Sequence, residues 1–408
     1  MKKIIKIILS SVAVILISTA MYSCKQDEPN DSPFIDPVES YESTILIYAV
    51  ATNSLSGNLV SDKLEMLQAA ENIDLSKNNV LIFQTVYEYD ENNKRTGKAD
   101  VSLIKLVKSA NSENPYDWKI VRRFSDGLAS LNPARISEVI NYVVSAYPSD
   151  SYGLILWSHS TASQPYTSTV TKSLVSLPQE YSFGQDLTYP NTVDEQINID
   201  VLAKAIPDAL FNFIWFDSCY MSNIESIYEM RGKCDFYVGY PTEVLDSGLP
   251  YHLVLPQIVG KNKDLVAAAD TFFQYYDGTF ATIAVIDMNK IEVLADFCRA
   301  LYREGTFVNA DLLKKYSRFS TGPFYDFGEY TLNMAAQNGG SISKEELNGV
   351  LDQCILYKNT TTGNYYDIRL NLDPERFSGI STHLYNFSDY SATETYYQSL
   401  AWYQSVFR

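Results

Sequence analysis

Two short stretches decide the fold of this chain: YGLILWSHS at residues 152–160 and FNFIWFDSC at residues 211–219. Each opens with six almost wholly apolar residues, as strands do when both faces of a parallel sheet are covered. Apolar strands and amphipathic helices alternate around them, which predicts an α/β fold with a central, mostly parallel sheet flanked by helices. Ligands bind beyond the carboxyl ends of the strands in such sheets, so we expect a site there.

His159 and Cys219 follow these two strands and are the reactive side chains at their ends. A thiol attacks only as the thiolate, and an adjacent imidazole accepts its proton. The residues between them leave room for one crossover unit, which would place the strand ends side by side. On residues alone, a packed cysteine and a hydrogen-bonded histidine remain an alternative. His252 and His383 lie in aromatic and aliphatic surroundings, which favour packed roles for both.

The amino-acid composition narrows the classes of function that this chain can have. The 408 residues carry a formal net charge of −17, and 46% of them are hydrophobic, as in globular proteins. Nucleic-acid binders depend on clustered Lys and Arg, so this acidic balance excludes nucleic acid as the main partner. The chain has three histidines, and a multi-histidine metal centre would need nearly all of them. We therefore predict neither nucleic-acid binding nor a required metal.

Several segments together resemble the clostripain family of cysteine peptidases. The resemblance covers roughly residues 43–390, and each segment is short, but their order and spacing make the match specific. The matching segments are STILIYAVATNSL, YGLILWSHS, FIWFDSCYMSNIE, YVGYPTEVLDSGLPY, FYDFGEY (324–330) and GISTHLYNF (379–387). The family implies a caspase-hemoglobinase fold and a cysteine endopeptidase acting on peptide or protein substrates.

The resemblance also implies roles for single residues. Cys219 is the expected nucleophile and His159 the general acid/base, with backbone amides at Ser160 and Cys219 as the expected oxyanion hole. Helical periodicity near 220–231 predicts a helix directly after Cys219, whose first amides would lower the thiol pKa.

The resemblance implies cleavage after Arg or Lys. Asp217 stands where family members carry a carboxylate for that basic side chain; helix capping is its alternative role. Glu243 and Asp246 are expected to add negative charge to the same pocket. Some relatives use calcium, but no Asp-x-Asp loop locates a site in this sequence.

One departure from the family supports a different class of function. Family members usually carry glycine after the histidine, whereas this chain has Ser160, Thr161 and Ala162. The alternative is therefore a non-catalytic surface lipoprotein that binds glycan or protein on a peptidase-like scaffold. Self-cleavage after Lys172, as some members undergo between the two motifs, is a weaker expectation.

The N-terminus reads as a targeting segment. Residues 1–23 carry lysines followed by an uncharged apolar run, which resembles a bacterial lipoprotein signal with lipid attached to Cys24. Residues 24–42 are polar and proline-containing and predict a tether. We expect a peptidase domain over 43–304 and a smaller α+β subdomain over 305–408. The protein is thus expected in the cell envelope, held by lipid to the outer membrane and exposed at the surface.

Overall fold

A computed structural model describes residues 40–92, 94–161, 183–190, 192, 194–317, 324–362 and 370–408. The predicted signal peptide, Cys24 and Lys172 lie outside these ranges. The described residues belong to one compact unit, and the division of the chain at residue 304 stays a prediction.

Nine strands form one mixed sheet in the order β10-β8-β7-β6-β5-β1-β2-β3-β4. The five central strands, from β7 to β2, pair in parallel. The outer pairs are antiparallel. The strands are β1 Ser43–Val50, β2 Asn78–Tyr89, β3 Arg95–Lys108, β4 Tyr116–Arg123, β5 Tyr152–Trp157, β6 Phe211–Asp217, β7 Cys234–Gly239, β8 Thr282–Asp287 and β10 Ile355–Thr360. The predicted α/β class is confirmed, and β3 and β4 form an antiparallel hairpin.

Helices cover both faces of this sheet. One face packs on α1 Ser56–Ala69, α5 Tyr251–Ile258 and α6 Leu265–Tyr275. The other packs on α2 Pro133–Ala146, α3 Ile199–Ala205, α4 Ile224–Glu229, α7 Ile291–Leu301, α8 Phe327–Gln337, α9 Lys344–Cys354, α10 Ala392–Ser399 and α11 Ala401–Phe407. Alternate residues of β1 enter the two cores, with Ile45 and Ile47 on one side and Leu46 and Tyr48 on the other. Covering both faces explains why β1 is buried along its whole length.

A second, smaller sheet lies near the C-terminus, as predicted. It pairs β9 Phe324–Asp326 with β11 Ser381–His383 in antiparallel fashion. The amide of Ser381 donates to the carbonyl of Ser222 at 2.9 Å, which joins this sheet to the segment after Cys219. The C-terminal region also contributes β10 to the edge of the large sheet.

A buried carboxylate on α4 strengthens the same junction. Glu225 is fully buried, and its Oε1 accepts hydrogen bonds from Thr382 Oγ1 at 2.9 Å, the amide of His383 at 3.1 Å and the Tyr385 hydroxyl at 3.0 Å. Burial raises the pKa of Glu225, and these hydrogen bonds oppose that rise. One side chain thus links the first helix after β6 to the C-terminal segment.

Candidate active site

The parallel pairing of β5 and β6 brings His159 and Cys219 to one edge of the sheet. Trp157 is the register partner of Asp217, so His159 and Cys219 each follow this pair by two residues. On the other side of β5, Ala49 of β1 pairs with the same Trp157. Three loops, after β1, β5 and β6, therefore meet at the carboxyl ends of the central strands.

Ser160 connects two of these loops. Its hydroxyl donates to the carbonyl oxygen of Cys219 at 2.5 Å, and its side chain is buried. The next crossover segment supports the same loop, because the amide of Gly184 donates to the carbonyl of His159 at 2.8 Å. Ser160, which replaces the family's glycine, thus holds the histidine loop against the cysteine loop.

The thiol of Cys219 is half-buried beside the segment that follows β7. The amide of Val244 lies 3.5 Å from the sulfur, and the sulfur lies 3.8 Å from the carbonyl oxygen of Val244. The next residue, Tyr220, has a φ of 62°, a left-handed conformation that non-glycine residues rarely adopt. Its amide donates to the carbonyl of Thr242 at 2.7 Å. The backbone turns sharply at the thiol, and the segment that follows β7 supports that turn.

The prediction that a helix begins directly after Cys219 was wrong. Helix α4 begins at Ile224, and Asn223 caps it by accepting from the amide of Ser226 at 3.4 Å. Residues 220–223 instead bridge toward the C-terminal segment, where Asn223 pairs with Ser381. The first amides of the helix therefore do not flank the thiol, because tertiary pairing extends the backbone where local periodicity favoured a helix.

His159 is held by a residue that the sequence reasoning did not single out. Its Nε2 lies 2.8 Å from the hydroxyl oxygen of Ser54, in the loop after β1. Burial lowers the pKa of His159. A signal for Ser54 was present, because STILIYAV predicts a strand and Ser54 stands just beyond its carboxyl end.

The other two histidines have partners away from this edge. Nδ1 of His252 lies 3.2 Å from the Glu65 carboxylate. His383 lies 2.9 Å from Glu394 through Nε2, and its ring stacks on Tyr397 with centroids 3.7 Å apart. Both have the packed, paired roles that the sequence predicts.

Asp217 ends β6 and points beneath the site. It is 5% exposed, and its Oδ2 accepts from the amide of Leu249 at 3.3 Å and the Tyr251 hydroxyl at 3.0 Å. The Tyr240 hydroxyl also interacts with this carboxylate and lowers its pKa, and Oδ1 has no hydrogen bond of ordinary geometry among the described residues. Burial raises the pKa of Asp217 to about 6, although these hydrogen bonds oppose the rise. Asp217 caps no helix, since Asn223 caps the helix that follows.

One segment, residues 243–250, reaches both the thiol and this carboxylate. Val244 contacts the sulfur of Cys219, and Gly248 packs so closely on Asp217 that a Cβ at Gly248 would lie 3.0 Å from Oδ2. Glu243 of this segment is half-buried and Asp246 is exposed. The carbonyl of Asp246 accepts from the side-chain amide of Asn58 at 2.7 Å, which ties the segment to α1. The structure thus places both predicted acidic residues on the segment that covers Asp217.

A second buried carboxyl lies on the same side of the sheet. Asp62 of α1 is 3% exposed, and its Oδ2 accepts from Nε1 of Trp157 at 2.9 Å. Burial and the nearby charge of Asp217 raise the pKa of Asp62 to about 9. The charge of Asp217 thus favours the protonated form of Asp62.

The described part of the chain contains no metal-binding cluster, no disulfide and no helix that could span a membrane. Within it, no group of three or more His, Cys, Asp or Glu side chains is arranged to hold a metal ion. Calcium use therefore stays a prediction from the family resemblance. The four cysteines in these ranges form no disulfide. Among the helices described, none is both long enough and apolar enough to cross a membrane.

Comparison with known proteins agrees with this geometry. The model of the clostripain family, Peptidase_C11, matches residues 47–403. A search of curated protein sequences found no match. A secreted C11 cysteine protease from Bacteroides thetaiotaomicron, solved with an irreversible peptide inhibitor, is similar at 24% identity and a TM-score of 0.71 over 90% of this chain and 99% of that chain.

A second solved structure has the same overall fold. It is an inactive zymogen C11 protease from Parabacteroides distasonis, 26% identical with a TM-score of 0.69, again over 90% of this chain and 99% of that chain. The family match spans most of the chain, and the central sheet, its flanking helices and the small C-terminal sheet agree with these structures. The protein therefore belongs to the clostripain family and is a C11 cysteine protease.

Proposed function

We propose that the protein is an endopeptidase that cleaves after Arg or Lys with a Cys219–His159 dyad. The observation that carries this proposal is the position of the two side chains, each two residues beyond the paired Trp157 and Asp217 at the ends of β5 and β6. The acidic segment beside the thiol and the carboxylate of Asp217 support the basic specificity.

The reaction is acyl transfer through a thioacyl-enzyme. The thiolate of Cys219 attacks the scissile carbonyl carbon, and the carbonyl oxygen becomes an oxyanion held by backbone amides near Ser160 and Cys219. His159 donates its proton to the leaving amine as the C–N bond breaks. It then accepts a proton from water as that water attacks the thioester carbon, the C–S bond breaks, and the acid and the Cys219 thiolate are released. No cofactor takes part in these steps.

Asp217 supplies the charge for a basic side chain in this proposal. Oδ1 of this buried carboxylate has no hydrogen bond of ordinary geometry among the described residues, and a substrate ammonium or guanidinium would add charge-assisted ones. Because Asp217 is 5% exposed, we expect residues 243–250 to shift when such a side chain enters. Glu243 and Asp246 move with that segment and add negative charge around the entrance.

Labelling with a thiol-reactive peptide tests the dyad and the specificity together. A peptide that carries Lys or Arg next to the reactive group is expected to modify Cys219, and a matched peptide with norleucine is not. Cys219→Ala and His159→Ala are expected to abolish cleavage of fluorogenic Lys and Arg peptides. Full cleavage by Cys219→Ala would refute the dyad, and an unlabelled thiol would favour the binding-module alternative. Equal labelling by the norleucine peptide would remove the basic specificity.

We also propose that the mature protein is held in the cell envelope by lipid on Cys24, at the outer membrane and exposed at the surface. The support is the sequence alone, since these residues lie outside the described ranges. Replacing Cys24 with Ala is expected to abolish incorporation of a fatty-acid label and to release the protein from the membrane fraction. Unchanged labelling in that variant would refute the anchor.

Calcium use stays a prediction, tested by assaying activity with EDTA and with added calcium.

A further inference from the structure

Ser54 lies at the active-site edge, and the proposed chemistry does not yet use it. Its hydroxyl oxygen is 2.8 Å from Nε2 of His159. Ser54 follows β1 by four residues, and β1 pairs with β5, which precedes His159. The contact therefore follows from the order of strands in the sheet, which sets the loop after β1 beside the histidine.

A buried polar network fixes the loop that carries Ser54. The side-chain amide of Asn53 donates to the carbonyl of Val50 at 2.9 Å and to the carbonyl of Gln185 at 2.8 Å. Its oxygen accepts from the amide of Leu55 at 2.9 Å. Ser158, next to His159, donates to the same Val50 carbonyl at 2.8 Å. Asn53 and Ser158 are both buried, so the backbones on either side of the Ser54–His159 contact are held in place.

The chemistry of imidazole gives this contact a consequence. A histidine that serves a thiol needs one ring nitrogen toward the sulfur and a partner for the other nitrogen, which sets the tautomer and the ring orientation. When Nδ1 faces the thiol as the base, Nε2 carries a hydrogen in both the neutral ring and the imidazolium, and the Ser54 hydroxyl oxygen accepts from it in both states. Ser54 can therefore remain bonded to His159 through the whole proton-transfer cycle.

We infer that Ser54 is a positioning residue, whose hydroxyl orients the His159 ring so that Nδ1 serves the thiol of Cys219. This inference rests on the proposed dyad. As a neutral partner Ser54 does not add a charge to the site, in contrast to the aspartate of a Ser-His-Asp triad. We therefore expect a moderate contribution, about that of one hydrogen bond, which corresponds to a roughly 2- to 13-fold effect on kcat/KM.

A series of variants at this position tests the inference. Ser54→Ala is expected to lower kcat/KM about 5-fold to 10-fold on the preferred peptide. Ser54→Thr keeps the hydroxyl and is expected to retain near-normal activity. Ser56→Ala, in the same stretch of chain but without a contact to His159, is the matched control and is expected to match the parent enzyme.

The pKa of His159 gives a readout that a merely structural role would not move. The chain has three histidines, so their imidazole signals can be assigned by NMR with a His159→Ala reference. We expect the pKa of His159 to fall in Ser54→Ala, to stay unchanged in Ser54→Thr, and to rise in Ser54→Asp, where a carboxylate favours the imidazolium. The pH dependence of iodoacetamide labelling of Cys219 should shift in the same order.

The outcomes separate this inference from the proposed dyad. If Ser54→Ala keeps normal activity and an unchanged His159 titration while Cys219→Ala is inactive, Ser54 has no positioning role and the dyad stands. A loss of activity shared with Ser56→Ala, or one without any change in the His159 titration, also overturns the inference. If Cys219→Ala and His159→Ala remain active, the proposed function itself fails.

Discussion

Replacing Asp217 with Asn should stabilise the protein at neutral pH while it removes cleavage after basic residues. Burial raises the pKa of Asp217 from 3.8 to about 6. The folded protein thus holds this proton more tightly than the unfolded chain, so ionisation costs folding free energy. The cost is absent well below pH 3.8, grows as the pH rises, and is complete above about 6. It amounts to about 1 kcal/mol at pH 4.5 and about 3 kcal/mol at pH 7.5.

Asparagine cannot ionise, and its oxygen can still accept from Leu249 and Tyr251. The buried amide group at the Oδ1 position lowers the folding stability by an amount that does not depend on pH. The advantage of Asp217→Asn over the parent should therefore grow by about 2 kcal/mol between pH 4.5 and 7.5. Urea unfolding followed by tryptophan fluorescence measures this change, in a Cys219→Ala background that prevents self-digestion.

Asp277→Asn is the matched control, because Asp277 is an exposed aspartate away from the site. Its effect on stability should be small. In the active background, Asp217→Asn should lower kcat/KM for Lys and Arg peptides at least 100-fold, because the carboxylate proposed to bind the basic side chain is lost. A stability change that stays constant between pH 4.5 and 7.5 would refute the raised pKa. Undiminished cleavage of basic peptides would refute the role in specificity.

Three further predictions follow from neighbouring contacts. Tyr251→Phe removes the hydroxyl that donates to Oδ2 of Asp217, which leaves that oxygen able to accept a second guanidinium N–H. The kcat/KM for Arg peptides divided by that for Lys peptides should therefore rise about 3-fold or more. An unchanged ratio would contradict this expectation. Gly248→Ala adds a Cβ against the Asp217 carboxylate at a residue whose φ is 55°. In urea titrations this change should lower the free energy of unfolding by about 1–2 kcal/mol. Equal urea midpoints for the variant and the parent would argue against that packing. Glu225→Ala leaves buried donors of the C-terminal segment, including Tyr385, without an acceptor, and should cost about 2–4 kcal/mol. Glu225→Gln keeps the acceptor oxygen and should lower the stability less, which thermal denaturation of the two variants would measure. Equal losses of stability in Glu225→Ala and Glu225→Gln would contradict this account.

Local sequence patterns predicted much of the fold. Runs of apolar residues such as those of β1 and β5 specify strands buried on both faces, and their alternation with amphipathic helices specifies the sheet's parallel centre. The positions of His159 and Cys219 followed from the same rule, because side chains just beyond neighbouring parallel strands must lie at one edge.

The start of α4 could not be predicted in this way. YMSNIESIYEM has helical periodicity throughout, yet its first residues pair with Ser381, more than 150 residues away in sequence. Such a long-range hydrogen bond outweighs a local propensity that amounts to a few tenths of a kcal/mol per residue.

The sequence by itself determined the α/β class, the two strand ends and the reactive residues there, because periodicity and residue chemistry are local properties. Only the tertiary structure decided which groups surround them. The hydroxyl of Ser54 reaches His159 from the loop after the neighbouring strand β1, Tyr251 and Leu249 donate to one oxygen of Asp217, and Val244 lies against the thiol. Leu249, Tyr251 and Val244 all come from the segment after β7, 25 to 34 residues beyond their partners in the chain, and their distances depend on how the loops pack. Burial, which sets the pKa of Asp217 and of His159, exists only once that packing has formed.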